Sequence, residues 1–186
     1  ALSCAAGSMD TAAMGTFVGA FDHAGYALLV TVRDGALVDR REVVLVDAAL
    51  PKMPHHHEGQ KLALDDAVAL VEKVRASAEH HARVALEALE RSVGSIEGIA
   101  LRALPTLPPT VAERITSYRA MCVADWVMYR SALGEAAVAR GWGVSWYEPK
   151  RVLDDATRAL GRDVAPLLAE VGRRIGPPWR KEHRVA

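Results

Sequence analysis

Thr16-Phe17-Val18-Gly19-Ala20-Phe21-Asp22-His23-Ala24-Gly25, continued by the apolar runs Tyr26–Val32 and Ala36–Val46, is the stretch that decides how this chain is read. Three strand-like runs follow one another with short polar breaks, and Asp34-Gly35 between the last two is a strong two-residue hairpin signal. An antiparallel meander is the expectation. Its first strand ends on a carboxylate at the rim of what should be a buried strand. An ionised carboxylate is costly to desolvate unless a metal, a cation or water meets it, so Asp22 is the first candidate site residue. The competing reading makes Asp22 and Gly25 ordinary turn residues.

Beyond the meander the pattern alternates helix and strand, without internal repeats. Pro51–Gly59 reads as a loop carrying His55-His56-His57-Glu58. From Leu64 to Val93 apolar residues recur at helical spacing, with Asp65 and Asp66 in the first turn, where the helix dipole favours negative charge. Gly98-Ile99-Ala100-Leu101 has the length of a buried strand, ended by Arg102 and by Pro105, Pro108 and Pro109. Thr110 is the expected N-cap of one helix running to about Arg140, with Gly141 and Gly143 as its stop signal. Val144–Tyr147 reads as a fifth strand. Pro149–Leu160, Val164–Ile175 and Trp179–Ala186 read as short terminal helices.

The chain has 186 residues, the size of one ordinary domain with a sizeable core. Residues 1–15 read as a disordered tail or expression-vector remnant, since Gly7-Ser8 precedes Met9, and 16–186 as a single domain. No apolar run approaches the roughly 18 residues that a membrane helix needs, so no membrane partner is expected. Lys plus Arg (23) equals Asp plus Glu (23), so overall charge does not argue for nucleic acid. Local charge does: Arg158, Arg162, Arg173, Arg174, Arg180, Lys181 and Arg184 make the C-terminal third basic, against the plainer reading of a solvated helix face. Cys4 and Cys122 have the spacing of neither a disulfide framework nor a zinc site, which fits a cytoplasmic protein.

Three antiparallel strands, then helix, strand, helix, strand and terminal helices, is the element order of an α/β ribonuclease H-like fold. That fold is a five-stranded mixed sheet, an antiparallel meander plus two parallel strands, with helices on both faces. Phe17–Leu28 resembles the opening of the RuvC-type Holliday-junction resolvases, an apolar strand ending in Asp followed by a glycine turn; His23 and Ala24 replace the middle of that pattern. Ser131–Val152, with its Gly141-Trp142-Gly143 turn and Glu148-Pro149, is similar to a later resolvase segment.

The resemblance implies a nucleic-acid substrate and several carboxylates gathered around two Mg²⁺ or Mn²⁺ ions, which hold the attacking and leaving oxygens of a phosphate. Asp22 matches the first ligand. Where the family pattern puts a Glu after the fourth strand this chain has Arg102, and Ala186 stands where a last carboxylate would be. Two arrangements are open. Asp22, Glu182 and His183 form a reduced one-metal site with His23 as base or ligand, or Arg102 replaces the metal as an ion-pair partner of Asp22; the second is favoured. The chain is then a resolvase-like domain with weak or lost nuclease activity. The alternatives are an active metal-dependent nuclease and a non-enzymatic protein-interaction domain, with a homodimer as a further expectation.

Weak nucleic-acid contacts are assigned to Arg102, Arg173, Arg174, Arg180 and Lys181. His55–His57 are expected in an exposed loop and His80-His81 on a solvated helix face, because neighbouring side chains diverge and chelate poorly. Trp126 and Trp146 are expected in the core, leaving Trp142 and Trp179 as candidates for stacking on bases.

Overall fold

The computed structural model describes residues 15–186, so the readings made for the tail and for Cys4 lie outside the described residues. Strands β1 (Thr16–His23), β2 (Tyr26–Arg33) and β3 (Ala36–Val44) form the meander. The β2–β3 connection is Asp34-Gly35 with φ of 49° and 78°, the doubly left-handed two-residue turn whose twist matches that of its strands. After helix α1 (Leu64–Val93), strand β4 (Gly98–Arg102) runs parallel to β1, and β5 (Gly143–Tyr147) runs parallel to β4. The sheet order β3-β2-β1-β4-β5 leaves β1 central.

One face of the sheet carries the core. Val18 and Ala20 of β1, Ala27 and Leu29 of β2, and Ile99 and Leu101 of β4 are buried there. α1 brings a stripe of Val71, Val74, Ala78, Ala82, Leu86 and Leu89 against them, spaced by three or four residues so that one side of the helix is covered. α3 (Tyr118–Ala139) packs beside α1. The opposite face is met by the short α6 (Lys181–Val185), which packs on β1 and β2. Gly19 makes that approach possible: any Cβ there would collide with the carbonyl of Ala186.

Several local readings are corrected. The helix expected from Thr110 to Arg140 is two: α2 (Val111–Thr116) and α3, separated by Ser117 in an extended conformation. Thr110 does cap α2, in a reciprocal capping box with Glu113, and Ser117 caps α3 in turn. β3 ends at Val44, although Leu45 and Val46 stay buried as the chain leaves the sheet. The segment read as an exposed loop is helical, with one turn at Pro54–Glu58 and another at Gly59–Lys61, and His55 is buried. Between β5 and α6 lie α4 (Val152–Leu160) and α5 (Ala165–Ile175), neither of which buries any residue fully. Trp142 is buried at the end of α3, its indole N–H donating to Glu90 at 3.4 Å, whereas Trp146 is exposed because β5 is an edge strand.

Candidate functional site

Side chains alternate along a strand, so Asp22 follows Val18 and Ala20 toward α3, while Gly19, Phe21 and His23 face the other way. Asp22 lies under the end of β4, and its carboxylate is fully buried. Arg102, the last residue of β4, lays its guanidinium 4.4 Å above the centre of the Phe21 ring and reaches round the strand end. Its Nε donates to Asp22 Oδ1 at 2.9 Å, and one terminal nitrogen donates to Oδ2 at 2.7 Å and to the Asp22 carbonyl at 2.6 Å. From α3, Arg130 sends a second fork, Nε to Oδ1 at 3.0 Å and a terminal nitrogen to Oδ2 at 3.1 Å. Its remaining terminal nitrogen donates to the Ala103 carbonyl at 2.7 Å.

The carboxylate therefore accepts four N–H groups from two guanidinium groups, which uses its full acceptor capacity. Burial pushes the Asp22 carboxyl up, but the hydrogen bonds and charges of Arg102 and Arg130 outweigh it and hold the group below its ordinary value of 3.8. One anion between two cations leaves the cluster net positive. Tyr147 of β5 closes it from the other side of the sheet: its hydroxyl donates to the Ala20 carbonyl at 3.1 Å and has its pKa pushed up to about 12, first by burial. A hollow of about 390 Å³ opens beside the cluster, walled also by Pro105, Val123 and Trp126.

His23 borders that hollow too, and on the α6 side of the sheet it meets Glu182 and His183. They line a hollow of about 300 Å³ on the α6 side of the sheet, together with Arg40, Arg41 and Arg180. His23 stacks on Tyr26, with ring centres 4.4 Å apart. His183 Nδ1 accepts the backbone N–H of Arg180 at 3.2 Å. Burial lowers the pKa of both histidines, helped by Arg102 for His23 and by Arg40 for His183. The structure thus brings Asp22 to Arg102 and brings His23 to Glu182 and His183; His23 borders both hollows, whereas Glu182 and His183 do not line the one beside Asp22. The residues present do not fit a divalent ion: the Asp22 oxygens are occupied by arginine, and no group of three or more His, Cys, Asp or Glu side chains among the described residues is placed to hold one.

Of the cations named for nucleic acid, Arg102 is engaged with Asp22, and Arg173 pairs with Glu170 at 3.0 Å. Arg174, Arg180 and Lys181 are exposed, as is Arg184, and none of the four forms a salt bridge among the described residues. Arg130 escaped the sequence reading. Its signal was a single charge inside Val127-Met128-Tyr129-Arg130-Ser131-Ala132-Leu133, an otherwise uncharged helix segment.

Comparison with solved structures finds T. thermophilus RuvC in complex with Holliday junction substrate, with a TM-score of 0.50 and 13% identity, covering 92% of this chain and 86% of that one. This is a ribonuclease H-like fold. A second Thermus thermophilus RuvC structure aligns over 91% of this chain and 89% of that one, with a TM-score of 0.40 and 15% identity. No protein-family model and no curated protein matches the sequence. At 13% identity the likeness to the first of these carries the fold alone, which is the five-stranded mixed sheet expected from the element order. No helix among the described residues is long and apolar enough to cross a membrane.

Proposed function

We propose that this chain is a ribonuclease H-like domain that binds nucleic acid through phosphate contacts and has weak or no nuclease activity. The observation that carries the reading is the double arginine clamp on Asp22. Metal-assisted phosphodiester cleavage needs anionic oxygens free to hold the ions that stabilise the attacking and leaving groups. Here the buried carboxylate at the end of the central strand is neutralised by Arg102 and Arg130, and an approaching cation meets net positive charge.

Binding to phosphate does not need that carboxylate. Arg174, Arg180, Lys181 and Arg184 offer four exposed charges within a short stretch of chain. Four such contacts to duplex DNA correspond to a slope of about −3.6 in log K against log salt concentration. Contacts of this kind position a backbone and do not read sequence.

The test uses a four-way junction, a duplex and an RNA–DNA hybrid, with Mg²⁺ or Mn²⁺ for cleavage and a salt titration for binding. Salt-sensitive binding without cleavage, weakened by Arg180→Ala and Lys181→Ala together, is the expected result. Robust cleavage abolished in Asp22→Asn establishes the active-nuclease reading instead. If there is neither cleavage nor salt-sensitive binding, the protein-interaction reading takes its place, with the exposed Leu104, Val138 and Trp146 beside β5 as its surface.

A further inference from the structure

The clamp on Asp22 leaves one donor group over. Arg130 engages all three of its guanidinium nitrogens, two on Asp22 and one on the Ala103 carbonyl. Arg102 engages only two. Its Nε and one terminal nitrogen hold Asp22, and the second terminal nitrogen, Nη1, has no acceptor among the described residues. Nη1 is not one of the buried polar atoms that lack a partner, so water reaches it. The carboxylate that takes up the Nε edge has no exposure of its own, and the Phe21 ring covers one face of the guanidinium. The planar group is thus fixed on one edge and one face, and Nη1 is the polar part of Arg102 left open.

Arg102 belongs to the wall of the hollow of about 390 Å³ beside the clamp. Asp22 is the one acid on that wall and is spent on arginine, so an anion entering there meets net positive charge and an unused pair of N–H bonds. The apolar part of the wall comes from α3, through Val123, Trp126 and Val127. Trp126, expected in the core, is only half-buried. Its indole N–H has no acceptor among the described residues and is not among the buried orphans, so it too is open to solvent. A phosphate suits the open arginine edge, and a flat base suits an accessible aromatic side chain. The volume lies within the range of sites for small organic molecules, which leaves room for a ring beside the anion.

His23 borders this hollow and also the one on the α6 side, whose wall includes Arg180. A strand with one nucleotide beside Arg102 therefore has a path past His23 to an exposed cation. A base free to lie on a side chain is an unpaired one. We propose that the hollow beside the clamp takes one unpaired nucleotide of a single strand, with its phosphate on Nη1 of Arg102 and its base on Trp126. This rests on the nucleic-acid reading above and names the form of strand that the domain takes.

The test is titration of the full chain with a short oligothymidylate, a duplex of equal length, thymidylate and thymidine. Binding is followed by fluorescence anisotropy of the labelled strands and by the indole N–H resonance of Trp126. The oligothymidylate is expected to bind more tightly than the duplex and to shift that resonance. Trp126→Leu weakens it about tenfold, whereas Trp126→Phe, which keeps a ring face, retains most of the affinity. Thymidylate shifts the resonance and still does so when Arg180→Ala and Lys181→Ala are combined; thymidine, which lacks the phosphate, does not. Strand binding that leaves the Trp126 resonance unmoved, unchanged affinity in Trp126→Leu, equal losses in Trp126→Leu and Trp126→Phe, tighter binding of the duplex, or an equal shift with thymidine would each overturn the proposal and leave the nucleic-acid reading standing. Absence of binding to strand and duplex alike would remove that reading and the proposal with it.

Discussion

Substituting Asp22→Asn separates a structural carboxylate from a metal ligand. The amide keeps the shape of the side chain but loses its charge, and it turns one acceptor into a donor facing arginine N–H groups. Arg102 keeps a side-chain exposure of 19% and recovers water, whereas Arg130, at 8%, is left as a buried cation without its counter-charge. Removing one partner of a buried ion pair costs about 3–5 kcal/mol. At the lower end, about 3 kcal/mol, a chain of this length loses roughly 6–12 °C in Tm. Thermal unfolding followed by far-UV circular dichroism reads the shift directly. Adding Arg130→Met to the same chain should recover much of the loss, because the stranded charge is gone and the volume is kept. A carboxylate held for metal binding behaves in the opposite way, since its removal relieves an arrangement kept for activity rather than for stability. An unchanged or raised Tm in Asp22→Asn would therefore refute the clamp as a structural element.

The remaining expectations concern the α6 side, the core and the pH response. His183 has a folded pKa below its unfolded value of 6.5, so its contribution to stability is complete above that value and is lost as pH falls toward the lower folded one. Melting at about pH 5.5 should thus come earlier than at neutrality, and His183→Leu should narrow the difference. The Asp22 carboxyl, also lowered, adds a further loss only below its unfolded value of 3.8. Gly19→Ala should lift α6 from the sheet, seen as faster amide exchange in Lys181–Val185 while α1 stays protected. Leu86→Ala, under the sheet, should cost about 2–5 kcal/mol in denaturant unfolding.

The meander was legible because its signals are local. Alternation along Thr16–His23 and the Asp34-Gly35 turn depend on neighbouring residues alone, and the structure repeats them almost residue for residue. Half of the clamp was legible too, since Arg102 ends a strand whose register against β1 follows from the topology. Arg130 lies 108 residues from Asp22, and only the docking of α3 on the sheet brings it near. His55 was misread for a related reason. Three consecutive histidines look solvated in sequence, and what buries the first is Asp125, 70 residues away. The break at Ser117 escaped because Thr116 and Ser117 sit inside a periodic pattern, yet the Thr116 hydroxyl bonds back to Ala112 and the Ser117 side chain starts a new helix. Trp142 and Trp146 exchanged roles because glycine-flanked and strand positions say nothing about which strand is at the edge.

The central claim is that the Asp22 carboxylate is spent on arginine and offers nothing to a divalent ion. Paramagnetic broadening of backbone amides by Mn²⁺ tests it most directly, read at Ala20–His23 in the wild-type chain and in Asp22→Asn. The account predicts no saturable broadening there in either chain. Broadening at these amides that saturates with Mn²⁺ and disappears in Asp22→Asn would contradict it.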